Sequence, residues 1–280
     1  MARHSAPESR IRVAGWVWAA LLALLLVTAL TVGWFVLAGK QGDEDASATC
    51  IDGEQRLTVW ADPAAAETAR TLAEDYNAGN PVVRDRCVTA VVEIRSTAEA
   101  TADYRGARPG VAPVWIPAGT GFIPGLSGAP DTVQLVGSDE LVHSVPDGAD
   151  PEPAAAVLPT GAESMVSALA AEAVGRDGAP DGPDLRTARG ENLPVLTSAA
   201  LLSESGDGVG DVRTVGEVVF PLVAFGSSPA VDEDEARAAA DFASRAGGTD
   251  TVTPEPASPW LTETAGSLAG VPLARAEDEL

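Results

Sequence analysis

The residues able to do chemistry are few in this 280-residue chain: His4 and His143 are its only histidines, Cys50 and Cys87 its only cysteines, and Asp232-Glu233-Asp234-Glu235 is its longest run of acids. A hydrolase needs a nucleophile, a base and an orienting group within mutual reach. His143 lies between Val142 and Ser144 in a strand-like run, facing solvent or a second layer, with no nucleophile-elbow pattern around it. Calcium would take several acids, but four consecutive acids at a helix start cannot all face one ion, and the helix dipole accounts for them. Walker, dinucleotide and zinc-protease motifs are missing from the sequence, and two thiols with one distant histidine cannot complete a zinc site. The expectation is therefore no enzyme, no catalytic residues, no metal and no cofactor.

The first 40 residues stand apart. From Val13 to Gly39 there is no charge, a length that spans about 40 Å as a helix and can cross a bilayer. Trp16, Trp18 and Trp34 lie towards its ends, where indoles favour headgroups. Arg3, Arg10 and Arg12 precede the span and Asp43, Glu44 and Asp45 follow it, so the positive-inside rule places the N-terminus in the cytoplasm. The expected organisation is a cytoplasmic tail at 1–12, a transmembrane helix at 13–39 contacting the lipid bilayer, a tether at 40–49, and an extracytoplasmic remainder. Cleavage of a signal peptide near Ala46-Ser47-Ala48 is the alternative. Beyond residue 40 the acids outnumber the bases by 26, a balance that repels nucleic acid and suits a soluble envelope surface. On that side of a membrane disulfides persist, so Cys50 and Cys87 are expected to pair.

The elements that must position any site begin with a strand at Leu57–Ala61. Asp62-Pro63 then caps and starts a helix whose apolar face is Ala65, Ala69, Leu72, Ala73 and Tyr76. Val88, Ala90, Val92 and Ile94 alternate as the inner side of a second strand, a weaker helix starts at Ser96, and "APVWIP" supplies a third strand around Trp115. Strand, helix, strand, helix, strand indicates a parallel sheet covered by helices. Farther on, "DELVHSVP" reads as a strand and "AESMVSALAAEAV" as a helix with Val166, Leu169, Ala170 and Ala173 inward. "LPVLTSAALLSE" reads as a strand entering a helix. Residues 175–192 read as a flexible surface segment. A strand near 217–225 carries Pro221, which belongs at an edge or crossing point. Asp232 then caps a helix with Ala236, Ala239, Ala240 and Ala243 inward, and 249–280 reads as a loosely ordered tail where Trp260 and Leu261 can dock.

"CIDGEQRLTVWADPAAAETARTLAEDYN", "RCVTAVVEI", "PVWIP", "GSDELVHSVP" and "VVFPLVAFGSSPAVDEDEARAAADFASRAGG" together resemble extracellular solute-binding domains of actinobacterial-type envelope proteins, which often adjoin a von Willebrand factor type A domain. The resemblance implies an α/β, type II periplasmic-binding-protein-like fold: two lobes joined by crossing strands, with ligand held between them. It assigns 50–248 to that domain, with lobe one at about 50–130 and 215–248 and a reduced second lobe at about 131–214. No von Willebrand domain is expected after the tail. By position, Asp62, Trp115 and Ser138 would line the first-lobe rim of the cleft and bind ligand, although Trp115 also suits a purely packing role. The family's acids flanking the Val-Trp-Ile-Pro run are replaced here by Ala112, Pro113 and Ala118. The expected function is thus a degenerate binding-protein fold acting as an envelope interaction or assembly module with a protein partner. The alternative is a membrane-tethered protein that captures a small-molecule ligand, possibly for a transporter.

Overall fold

The computed structural model describes residues 50–206, 210–248 and 250–269. The expected tail, span and tether before residue 50 lie outside the described residues, and no helix among the described residues is long and apolar enough to cross a membrane. Strand β1 (Glu54–Ala61) buries Leu57, Val59, Trp60 and Ala61. It pairs in parallel with β3 (Arg86–Ile94) on one side and β4 (Val114–Ile116) on the other, bringing Trp60 opposite Trp115. The short β2 (Val82–Val83) turns back onto β3 through Arg84 and Asp85, both in the left-handed region, at φ 48° and 63°. Cys50 and Cys87 are joined in a disulfide, as expected.

Two long strands, β5 (Val133–Val145) and β7 (Asp211–Ala224), run antiparallel and carry the sheet from its parallel part into a second part with β6 (Val195–Ser198). The order is β2-β3-β1-β4-β7-β5-β6, and β8 (Asp250–Val252) pairs with the start of β5. Pro221 stands opposite Leu135, beside a register shift between Leu135 and Gly137, so its missing N–H falls where the ladder is already interrupted. This is the crossing-point placement the sequence predicts.

Helices α1 (Ala66–Ala78), α2 (Thr97–Arg105), α3 (Ser164–Ala173), α4 (Leu185–Gly190), α5 (Ala199–Glu204), α6 (Glu233–Arg245) and α7 (Pro259–Leu268) cover the sheet. Several departures from the sequence expectation have local causes. The inward face of α6 is Ala238, Ala239 and Phe242, with Ala240 exposed, because the Phe242 ring packs on Tyr76 at 5.0 Å. Helix α3 is buried on two sides rather than one, since it lies against β5, β6 and β7 and also against α7, which leaves only its end at Ala173 exposed. The segment 175–192 is not uniformly loose: Asp184 caps α4, and Leu185 and Ala188 enter the core. Nor is 250–269 a loose tail. Ala257 donates its N–H to the Gly121 carbonyl, with backbone so close that a side chain at Gly121 would collide, and Leu261 and Ala265 are buried.

The described residues from Asp52 on form one contact unit. One apolar cluster runs from Leu57, Val59 and Phe242 through Ala64 and Ala65 to Leu158, Val166, Leu201 and Leu202. A second gathers Trp60, Tyr104, Trp115, Phe225, Met165 and Leu261.

Candidate functional site

In α/β sheets ligands favour the crevice beyond the carboxyl ends of parallel strands. Here those ends are Asp62 after β1, Ser96-Thr97 after β3, and Pro117-Ala118 after β4. Asp62 is fully buried. One of its carboxylate oxygens accepts the Ala64 N–H at 3.1 Å, and the other accepts both the N–H and the hydroxyl of Thr97, at 2.9 and 2.7 Å. Thr97 Oγ1 in turn accepts the Ala118 N–H at 2.9 Å. The three strand ends are therefore tied by one buried chain of hydrogen bonds. Burial raises the Asp62 pKa above its ordinary value, opposed by the Thr97 and Ala64 donors.

The turn Pro63–Ala65 that follows Asp62 packs on β5, on α5 and on the turn Gly161–Glu163 from the second half of the sheet. Ala64 and Ala65 share a core with Leu201 and Leu202. The position of the expected inter-lobe cleft is thus occupied by packed apolar side chains.

Trp115 is also fully buried, its ring 5.2 Å from Tyr104, which stacks on Phe225 at 4.3 Å and meets Trp60 edge-on at 5.4 Å. The Trp115 Nε1 is buried without a partner. Of the two roles open to this residue, packing is the one its surroundings supply. Beside this cluster the Arg95 guanidinium lies 4.4 Å above the Trp60 ring and pairs with Asp103.

Ser138 is exposed on β5 and lines a different feature, an open groove of about 440 Å³ with Leu135, Val136, Glu217, Gly248 and Asp250. The three residues expected at one rim therefore do not form one site. Sequence reasoning missed Thr97, whose only signal was the Ser96-Thr97 pair after a strand, and it missed Glu217 and Asp250, whose meeting depends on the pairing of β5 with β7 and β8.

His143 is buried opposite Leu196 and Arg213, not solvent-facing, and its Nε2 has no partner. Burial lowers its pKa, Arg213 lowers it further, and Asp211 opposes them. Asp232 forms a reciprocal capping box with Glu235, Glu233 pairs with Arg237, and Asp234 faces Arg84 and Arg86 at 3.9 and 4.0 Å. Those acids serve the start of α6. No cluster suited to a metal ion occurs among the described residues.

Two α/β halves joined by a crossing strand pair define a mixed α/β fold. No family model matches the chain. In sequence it is 30% identical over 149 residues to an uncharacterized protein of Mycobacterium tuberculosis, in strains CDC 1551 / Oshkosh and H37Rv alike, over 51% of this chain and 22% of that protein. The chain thus matches about a fifth of the length of these relatives. Among solved structures it is similar to an OxyR2 regulatory domain from Vibrio vulnificus, at 12% identity, 69% of this chain, 95% of that chain and a TM-score of 0.47. It is also similar to the effector-binding domain of QuiR in complex with shikimate, at 12% identity, 69% and 97% coverage and a TM-score of 0.44. CbnR, a LysR family transcriptional regulator, gives 15% identity, 83% and 82% coverage and a TM-score of 0.44. At these scores the likenesses carry no weight for function.

Proposed function

We propose that the chain is a protein-interaction module on a solute-binding-type fold, anchored by residues 13–39 with its folded part outside the cytoplasm, and that it is not an enzyme. The observation that supports this most is the packing of Ala64 and Ala65 against the second half of the sheet, with Asp62 spent on Thr97 and Ala64. A ligand cleft needs convergent polar groups that are free to bind, and here the carboxylate of Asp62 is consumed internally. Proximity labelling from the exterior side, in cells carrying the full chain, should return a reproducible envelope partner; finding none would sink the proposal.

A second reading, small-ligand capture, draws on one observation: the groove beside Ser138 is large enough for a solute. Thermal-shift screening of the chain with sugars, amino acids, peptides and oxyanions separates the two. A ligand at 100 times its Kd adds about 2.7 kcal/mol of stability, and a flat response across the library supports the interaction module.

A further inference from the structure

Strand β3 is the last long strand on its side of the sheet, because the short β2 pairs only with Arg86 and Cys87. The N–H groups of Cys87 and Arg95 turn inward, to the carbonyls of Gly53 and Ala61 at 3.0 and 2.8 Å. Those of the alternate residues turn outward: Val88 donates to the Pro81 carbonyl at 2.9 Å, and the Asn77 side chain takes both backbone groups of Ala90, at 2.8 and 2.9 Å. Val92 and Ile94 continue the outward set. Neither has an outward hydrogen-bond partner among the described residues. Helix α1 packs on β3 through the core face that carries Val88 and Ala90. Beyond them Ile94 is 45% exposed, with Glu93 exposed beside it. An unpaired edge of this kind is a template for another strand.

The residues around Ile94 select what fits there. Glu93 and Arg95 flank it with opposite charges on the other face of the strand, where Glu93 pairs with Arg56 at 2.7 Å and the Arg95 guanidinium lies over Trp60. A strand laid antiparallel on Ile94 and carrying the same three residues sets isoleucine on isoleucine and, on both sides, glutamate against arginine. A two-fold axis at Glu93 would oppose two glutamates instead, as would an in-register parallel copy. The open stretch is bounded by the Asn77 cap on Ala90 and by the start of α2 at Thr97, so one added strand fills it. A two-fold pairing uses the same edge on both copies and closes there.

We propose that β3 pairs with β3 of a second copy of this chain, antiparallel about a two-fold axis at Ile94. This goes beyond the interaction-module reading and does not depend on it. The N–H of each Ile94 donates to the carbonyl of the partner's Ile94, and each Glu93 meets the partner's Arg95. The chain carries a large excess of acids, which favours contact between copies at an edge where the signs alternate.

The test reads the mass of the full chain in detergent micelles by light scattering over a range of concentrations, with cysteine cross-linking to fix the register. A dimer that forms with concentration is expected, and in it the Ile94 amide exchanges more slowly than in the diluted monomer. Ile94→Cys should link two copies on mild oxidation, because hydrogen-bonded antiparallel partners stand about 5.5 Å apart at Cα, within disulfide reach. Thr89→Cys, exposed on the same strand, should not, since this register separates its two copies by about 34 Å. Ile94→Asp sets two carboxylates on the axis and should raise the dissociation constant about tenfold or more, leaving the thermal midpoint of the diluted monomer in place. A monomer at every concentration overturns the proposal, as does failure of Ile94→Cys to cross-link or equal cross-linking of Thr89→Cys. A dimer untouched by Ile94→Asp also overturns it, because residues 13–39 or another surface then hold the copies together. Slow exchange at Ile94 in the diluted monomer overturns it too, because another segment of the chain then holds the edge. None of these results touches the partner search by proximity labelling, which tests the interaction module separately.

Discussion

Asp62 offers the sharpest test of whether the expected rim is a binding surface or a pin. Asp62→Ala removes the acceptor for two buried backbone N–H groups, those of Ala64 and Thr97, and for the Thr97 hydroxyl. Each orphaned buried donor costs about 1–3 kcal/mol. Release of a buried carboxylate offsets part of that, so a net loss of about 3 kcal/mol is expected. Thr97→Val leaves Asp62 its backbone donors but orphans the Ala118 N–H and removes the 2.7 Å hydroxyl bond, a loss of about 2 kcal/mol. Asp62→Asn keeps one oxygen for Thr97 and turns an NH₂ towards Ala64, losing about 1 kcal/mol. Urea unfolding of the full chain should rank the variants in that order.

The pH dependence has a definite sign. Because the folded pKa of Asp62 is raised, the folded state holds the proton more tightly than the unfolded chain does. The associated stability is present at low pH and is lost as pH rises from the ordinary aspartate value through the raised folded value; the asparagine variant should lack that dependence. A loss below about 1 kcal/mol for Asp62→Ala, with ligand or partner binding abolished instead, would refute the pin and restore the rim.

Three further outcomes are expected. A free-thiol assay on denatured, unreduced protein should find none, and Cys87→Ser should lower stability by about 4 kcal/mol in urea titration, the chain-entropy value for a loop of this length. Trp115→Ala should cost about 3–5 kcal/mol, whereas Trp115→Phe should cost distinctly less because it also removes an unpartnered buried N–H; calorimetry reads both. His143 has a lowered folded pKa, so the stability it contributes is present above pH 6.5 and is lost as pH falls below that value towards the folded pKa; a His143→Gln variant should flatten the midpoint-versus-pH curve in this acid range.

What the sequence revealed follows from the range of the forces involved. The β1 strand, the Asp62-Pro63 start, the alternation in β3 and the capping box at Asp232 all rest on neighbours within a few residues, and periodicity and cap chemistry expose them. The burial of Asp62 depends on Thr97, 35 residues away, so a capping aspartate looked free to bind ligand. The inward face of α6 was misjudged because alanine is indifferent to burial, and the real anchor, Phe242, is fixed by Tyr76 far back in the chain. Ser138 was placed by family position alone, and its surroundings come from three strands that meet only in the folded sheet.

These local and distant facts bear on whether the two halves could move as binding-protein lobes do. Hinge closure requires surfaces that tolerate water when parted. Opening at the turn Pro63–Ala65 would expose Ala64, Ala65, Leu201 and Leu202, at about 25 cal/mol for each Å² of apolar surface uncovered. It would put nothing polar in their place, since Asp62 faces Thr97 and not the other half. Alanine at 64 and 65 then lets the halves approach closely enough to share one core.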